Sequence, residues 1–239
     1  MKYNDFECVF SRERLRIYVL ACNNNKNKAI ILYRYNLNLS KEMFSVISCF
    51  EVALRNSIDK ERNCVFGDNW LRDSVLKDGI FYNDLRVAKT RSIIENTFYD
   101  LANNGNYTHS KLITELGFGI WKYMFNNIQY SLSGKCLLRI FPNKEKSTLK
   151  HKYNNTFVFN ELEKINILRN RIAHHEPICI SHPYNIDILR VTECYKSMIR
   201  LFEWMDIDHK KLLYGIDHVE CIFKRIKNFQ KILQNNYTC

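Results

Sequence analysis

The sequence predicts an all-α fold, a helical bundle with additional flanking helices, and three observations predict it. Only 7 Gly and 3 Pro occur in 239 residues, too little turn punctuation for a sandwich or barrel of many short strands. Apolar residues make up 46% of the chain and aromatics 13%, which at this length is enough to fill a core. Apolar positions also recur at three-and-four spacing in one segment after another, the signature of helices with one buried face. No internal repeat and no linker interrupts the pattern, so residues 1–239 read as a single domain.

The elements follow from this periodicity. Helices are predicted at about 11–22 and 28–36, and a stronger one from Ser40, a candidate N-cap, to about Arg62. Residues 68–82 are irregular or short-helical. A helix opening near Asn83 or Asp84 turns Val87, Ile94, Phe98 and Leu101 inward and stops at Asn103-Asn104-Gly105-Asn106. The next runs from about Ser110 through Leu112, Leu116, Ile120, Tyr123 and Met124, with Gly117 and Gly119 suited to a close helix approach and Trp121 in the core. Pro142 closes a shorter helix at about 131–141. Residues 144–155 are polar, basic and weakly periodic, a flexible or ligand-facing loop. A helix from about Asn160 to His175 follows, and after Pro177 and Pro183 two more span about 185–206 and 216–234.

Composition narrows the function. No apolar run approaches the roughly 20 residues that span a bilayer, and the nine cysteines, an odd number without a CxxC pair, read as reduced thiols. The expected location is the cytoplasm. The formal charge of +11 points to an anionic partner, nucleic acid above all. Glycine-rich phosphate loops, nucleophile elbows and dinucleotide fingerprints are missing, so no cofactor is expected. His174, His175, Glu176, Cys179 and His182 cluster, but adjacent histidines diverge and no His-x3-His spacing occurs, so no metal is expected either.

The chemistry concentrates in Leu168-Arg169-Asn170-Arg171-Ile172-Ala173-His174-His175-Glu176-Pro177. Arginine holds phosphate through a fixed fork of donors, and histidine moves protons near neutral pH because its ordinary pKa is about 6.5. Asn170 and His174, four apart, lie one above the other on a helix; Arg169 and His174, five apart, diverge by roughly 140°, within an arginine's reach. Pro177 disfavours helix at Glu176, so the helix should end around His175 and expose the imidazoles. Spacing alone also allows a plain reading, in which these cations only complement the helix dipole for about 0.3–1 kcal/mol each.

The run resembles the Arg-x4-His signature of HEPN domains, and nearly letter for letter the motif of Abi-like abortive-infection proteins. Phe50-Glu51-Val52-Ala53-Leu54-Arg55-Asn56 resembles that family's early helix, and Gly117-Phe118-Gly119-Ile120-Trp121 its central one, so the likeness is strongest over about residues 40–200. Glu51 falls within an apolar face of Phe44, Ile47, Leu54 and Ile58 and needs a partner; Arg55 is the local one, and the pair is either a structural ion pair or a support that orients Arg169 or His174. The resemblance implies metal-independent RNA cleavage by 2′-OH attack, with His174 as acid or base, Arg169 on the phosphate oxygens, Asn170 orienting His174 or donating to the phosphate, and Arg171 and His175 auxiliary. It also implies a homodimer and a silencing partner, either a protein antitoxin or a small noncoding RNA. Lys144, Lys146, Lys150 and Lys152, with Lys224, Arg225 and Lys227, are candidate RNA contacts. A non-catalytic RNA-binding module that keeps arginine's task and discards histidine's is the alternative.

Overall fold

Helices carry most of the described residues. The computed structural model describes residues 2–235, and they form α1 (Tyr3–Phe10), α2 (Arg12–Ala21), α3 (Lys26–Phe66), α4 (Trp70–Asp73), α5 (Ala88–Asn103), α6 (His109–Glu115), α7 (Phe118–Tyr123), α8 (Asn127–Leu132), α9 (Asn155–Ala173), α10 (Leu189–Trp204), α11 (His209–Leu212) and α12 (Val219–Asn235). Single 3-10 turns at Leu85–Val87 and Leu137–Ile140 join some of these. Between α9 and α10 sits a two-stranded antiparallel ribbon, β1 (Ile180–Ser181) and β2 (Asn185–Ile186), with Ile180 opposite Ile186. The fold is all-α, as composition predicts. None of the described helices is long and apolar enough to cross a membrane.

The chain forms two compact units, each drawn from separated stretches. The first comprises residues up to Ser48, Ile167–Met198 and the segment from Lys210 onward; the second comprises Cys49–Asn166 and Ile199–His209. Helices α3, α9 and α10 each contribute to both. In the first unit Phe6, Tyr18 and Tyr33 pack edge to face around Tyr33, at centroid distances of 5.4 and 5.0 Å. Ile222, Phe223, Ile226, Phe229 and Leu233 form the buried face of α12, and Gln230 Nε2 donates to the Ile186 carbonyl at 3.0 Å, tying that helix to β2. In the second unit Trp121 is fully buried, as expected of a core residue, and Phe50 packs against Phe118 and Phe202. Arg62 is also fully buried there: it donates to the Ser133 carbonyl and hydroxyl, both at 2.7 Å, and to Cys136 Sγ at 3.4 Å.

Several predicted boundaries change. The helices expected at 28–36 and from Ser40 are one 41-residue helix, α3. No Gly or Pro interrupts it, and Leu39 and Met43 on either side of Ser40 are buried, so Ser40 lies inside and Asn25 caps the start by accepting from the Lys28 N–H at 3.0 Å. Phe44 is half-exposed rather than part of the apolar face, while Ile47, Leu54 and Ile58 are buried. The predicted 110–124 helix breaks into α6 and α7 where Leu116 turns extended and Gly117 precedes the new helix. A Cβ at Gly117 or Gly119 would meet no atom within 4 Å, so these glycines serve no close helix approach; they line a cleft of about 490 Å³ with Ile93, Ile120 and Tyr123. The helix expected at 131–141 ends at Leu132 because Gly134 and Lys135, at φ 79° and 57°, reverse the chain.

Candidate functional site

The motif occupies the end of α9. It opens at Asn155, earlier than the predicted start near Asn160, and Asn154 caps it by accepting from the Phe157 N–H at 3.0 Å. Leu162, Ile165, Leu168 and Ile172 form its buried stripe, which leaves Asn170 and His174 exposed and Arg169 and Arg171 at the margin. The last helical residue is Ala173, slightly earlier than predicted. The His174 N–H still bonds to the Asn170 carbonyl at 2.9 Å, but His175 swings to φ 56°. Its N–H then bonds to the Ile172 carbonyl at 2.9 Å and the Glu176 N–H to the Arg171 carbonyl at 2.8 Å. This pair of bonds is a Schellman motif, with His175 where glycine is usual and Pro177 just beyond.

Three side chains pin that exit. Arg14 on α2 donates from Nη2 to the His175 carbonyl at 2.5 Å. Asn36 on α3, buried, accepts from the Ile178 and Cys179 N–H groups at 2.7 and 3.3 Å. Arg171 bonds Glu176 Oε2 at 3.2 Å and donates from Nη2 to the Pro177 carbonyl. Beneath the exit the structure is apolar: complete burial pushes the Cys179 thiol up to about 12, burial does the same to Cys22, and burial raises the Tyr18 phenol, helped by neighbouring Cys179 and Tyr33.

The two motif arginines therefore differ. Arg171 is engaged in holding the turn. Arg169 has no carboxylate partner among the described residues: its Nη1 lies 3.5 Å from Asn170 Oδ1, at the limit of a hydrogen bond, and its Nε is buried without an acceptor. The exposed His174 imidazole likewise has no hydrogen-bond partner among the described residues. A cation fixed by its buried stem, an amide and a solvent-facing imidazole thus share one helix end, an arrangement able to take an anionic group and exchange a proton with it. His175 acts through its backbone, its side chain pointing into solvent.

Glu51 and Arg55 lie one turn apart on the part of α3 in the second unit, half-buried, with Arg55 Nε buried and without a hydrogen-bond acceptor among the described residues. Lys146, Lys150 and Lys152 are exposed and Lys144 half-exposed in the second unit, on a non-helical segment in which Ser147 and Thr148 accept from the Tyr153 and His151 N–H groups. Lys224, Arg225 and Lys227 are exposed on α12 in the first unit. No three His, Cys, Asp or Glu among the described residues are grouped to hold a metal ion. Sequence reasoning missed Arg14 and Asn36, which act across more than 140 positions and carry no local signal. The left-handed His175 had one: histidine is among the residues enriched at positive φ, and Pro177 follows at the spacing usual after a helix cap.

The model of one protein family, described as Abi-like protein, matches residues 4–179. No curated protein and no solved structure matches the chain.

Proposed function

The chain belongs to the Abi-like protein family, whose name points to abortive infection in phage defence, and we propose that it is a metal-independent endoribonuclease of the HEPN type. The observation that carries this reading is the division of labour within the motif: Arg171 is committed to the turn, whereas among the described residues Arg169 reaches only its neighbour Asn170, at 3.5 Å and with no carboxylate, and the His174 imidazole has no hydrogen-bond partner at an exposed helix end.

In this reading the phosphodiester docks on the Arg169 guanidinium, which stabilises charge gathering on the non-bridging oxygens. The ribose 2′-oxygen attacks phosphorus, its proton passing to an imidazole; the 5′-oxygen departs with a proton from a second imidazole. The products are a 2′,3′-cyclic phosphate and a 5′-OH. Proton transfer by a placed histidine contributes about 10²–10⁴-fold. Each chain supplies one His174, so two copies facing each other provide the base and the acid, and the working form is a homodimer. Such activity requires restraint in the cell, by a protein antitoxin or a small RNA.

The test is incubation of wild type, His174→Ala and Arg169→Ala with total RNA in excess EDTA, reading 2′,3′-cyclic phosphate ends. Cutting by wild type alone is the expected result. RNA binding without cutting by any form overturns the nuclease reading and leaves an RNA-binding module; activity restored on mixing the two variants tests the dimer.

A further inference from the structure

The first unit carries, besides the motif, a surface built for a particular form of nucleic acid. Along α12, Lys224, Lys227 and Lys231 line an open groove with Asn228, Gln230 and Gln234. At spacings of three and four residues the lysines lie within about 60° of one another around the helix and span about 10 Å along it. None of the three forms an ion pair, and no carboxylate lines the groove, among the described residues. Arg225 lies about 100° away around the helix and is not part of it. The buried face of α12 fixes this helix, and the Gln230 bond to Ile186 fixes it against the ribbon.

Gln230 and Gln234 also line a second, smaller concavity, shared with Asn23, Tyr184, Asn185 and Leu233, so the two are continuous. Tyr184 sits in the tight turn between β1 and β2, where its N–H bonds the Ser181 carbonyl at 2.9 Å and its backbone takes φ 142°. Tyr184 is 46% exposed and its ring stacks on no other ring among the described residues. Four residues with side-chain amides, Asn23, Asn185, Gln230 and Gln234, line the same concavity.

A row of unneutralised cations beside an exposed aromatic ring and amides is the chemistry that holds unpaired nucleic acid: cations on phosphates, a ring under a base, amides on the base edge. A duplex offers the cations phosphates but no open base face for the ring. We propose that α12 and the Tyr184 turn bind single-stranded RNA, Lys224, Lys227 and Lys231 tracking its phosphates while one base stacks on Tyr184. This names the form of substrate for the motif in the same unit and rests on the nuclease reading for its purpose, though its test does not need catalysis.

The test measures binding of a fluorescein-labelled 12-nucleotide single-stranded RNA to full-length His174→Ala protein by anisotropy, across a salt series. Combining Lys224→Gln, Lys227→Gln and Lys231→Gln should weaken binding and reduce the slope of log K against log salt by about 2, at roughly 0.7 per phosphate contact. The same charge loss at exposed Lys60, Lys77 and Lys89 should leave the slope unchanged. Tyr184→Ala should cost about ten-fold or more, Tyr184→Phe little, and a duplex of the same sequence should bind more weakly. An unchanged slope in the α12 variant, equal loss from the second-unit lysines, equal affinities of the two Tyr184 variants, or a duplex bound as tightly would each overturn the proposal. Binding as expected with no cutting by wild type would instead sink only the nuclease reading.

Discussion

Replacing His175 by glycine should make the protein more stable. His175 occupies φ 56° at the end of α9, a conformation that brings Cβ close to the following carbonyl and costs an L-residue about 1–2 kcal/mol. Glycine takes it without that cost but gives the unfolded chain more freedom, an opposing effect of about 0.5–1 kcal/mol. The bonds that matter belong to the main chain and survive the change: His175 N–H to Ile172, Glu176 N–H to Arg171, and Arg14 to the His175 carbonyl. The exposed imidazole has no hydrogen bond to lose among the described residues. The net is a gain of about 0.5–1 kcal/mol, which for a chain of this size raises Tm by about 1–4 °C. Calorimetry on wild type, His175→Gly and His175→Val checks it, valine being the poorest fit at positive φ. A glycine variant melting at or below wild type would refute the argument, and a glycine variant that has lost RNA cleavage would show that the His175 side chain does more than end a helix.

Arg171→Ala should cost about 1–2 kcal/mol in denaturant unfolding, chiefly through the bond to the Pro177 carbonyl because the Glu176 pair is half-exposed and weak. Arg169→Ala should leave stability level or slightly raised, since its buried Nε has no acceptor to lose, while abolishing cleavage; equal destabilisation by the two would contradict their separate roles. Asn36→Ala strands two buried N–H groups and should cost about 2–4 kcal/mol, read as a lowered Tm. Burial opposes ionisation of Glu42, but hydrogen bonds from Lys41 and from the His218 N–H and ring outweigh it and hold its carboxyl below the ordinary 4.5. A depressed carboxyl stabilises above its unfolded pKa and loses that contribution as pH falls through the folded value. The stability difference between wild type and Glu42→Gln, measured by urea unfolding, should therefore shrink between pH 6 and pH 3, and a constant difference would contradict the assignment.

The fold class and the motif's local geometry were legible because both depend on short-range order. The stripe of Leu162, Ile165, Leu168 and Ile172 announces α9, and Pro177 announces its end within two residues. Where the reading failed, a local cue was overruled by packing: Ser40 resembles a cap but lies between buried Leu39 and Met43 in an unbroken helix. Phe44 shares a face with Ile47 on paper and is half-exposed in fact. Helix α1 and the ribbon went unforeseen, the first being short and the second having two residues per strand. In the site, the motif spells out Arg169, Asn170 and His174 but gives no sign that Arg171 is occupied, because its acceptor is a main-chain carbonyl.

The buried Arg62 has a consequence for how this sequence can drift. Its guanidinium meets a carbonyl, a hydroxyl and a sulfur in three directions at once, a demand that a planar fork meets and a point charge does not. Lysine cannot substitute there without stranding Ser133 acceptors in a buried interior. Arginine and lysine can therefore exchange at exposed positions that ask only for charge, but not at Arg62, and by the same geometric argument not at Arg171, where direction and not charge is what the fold requires.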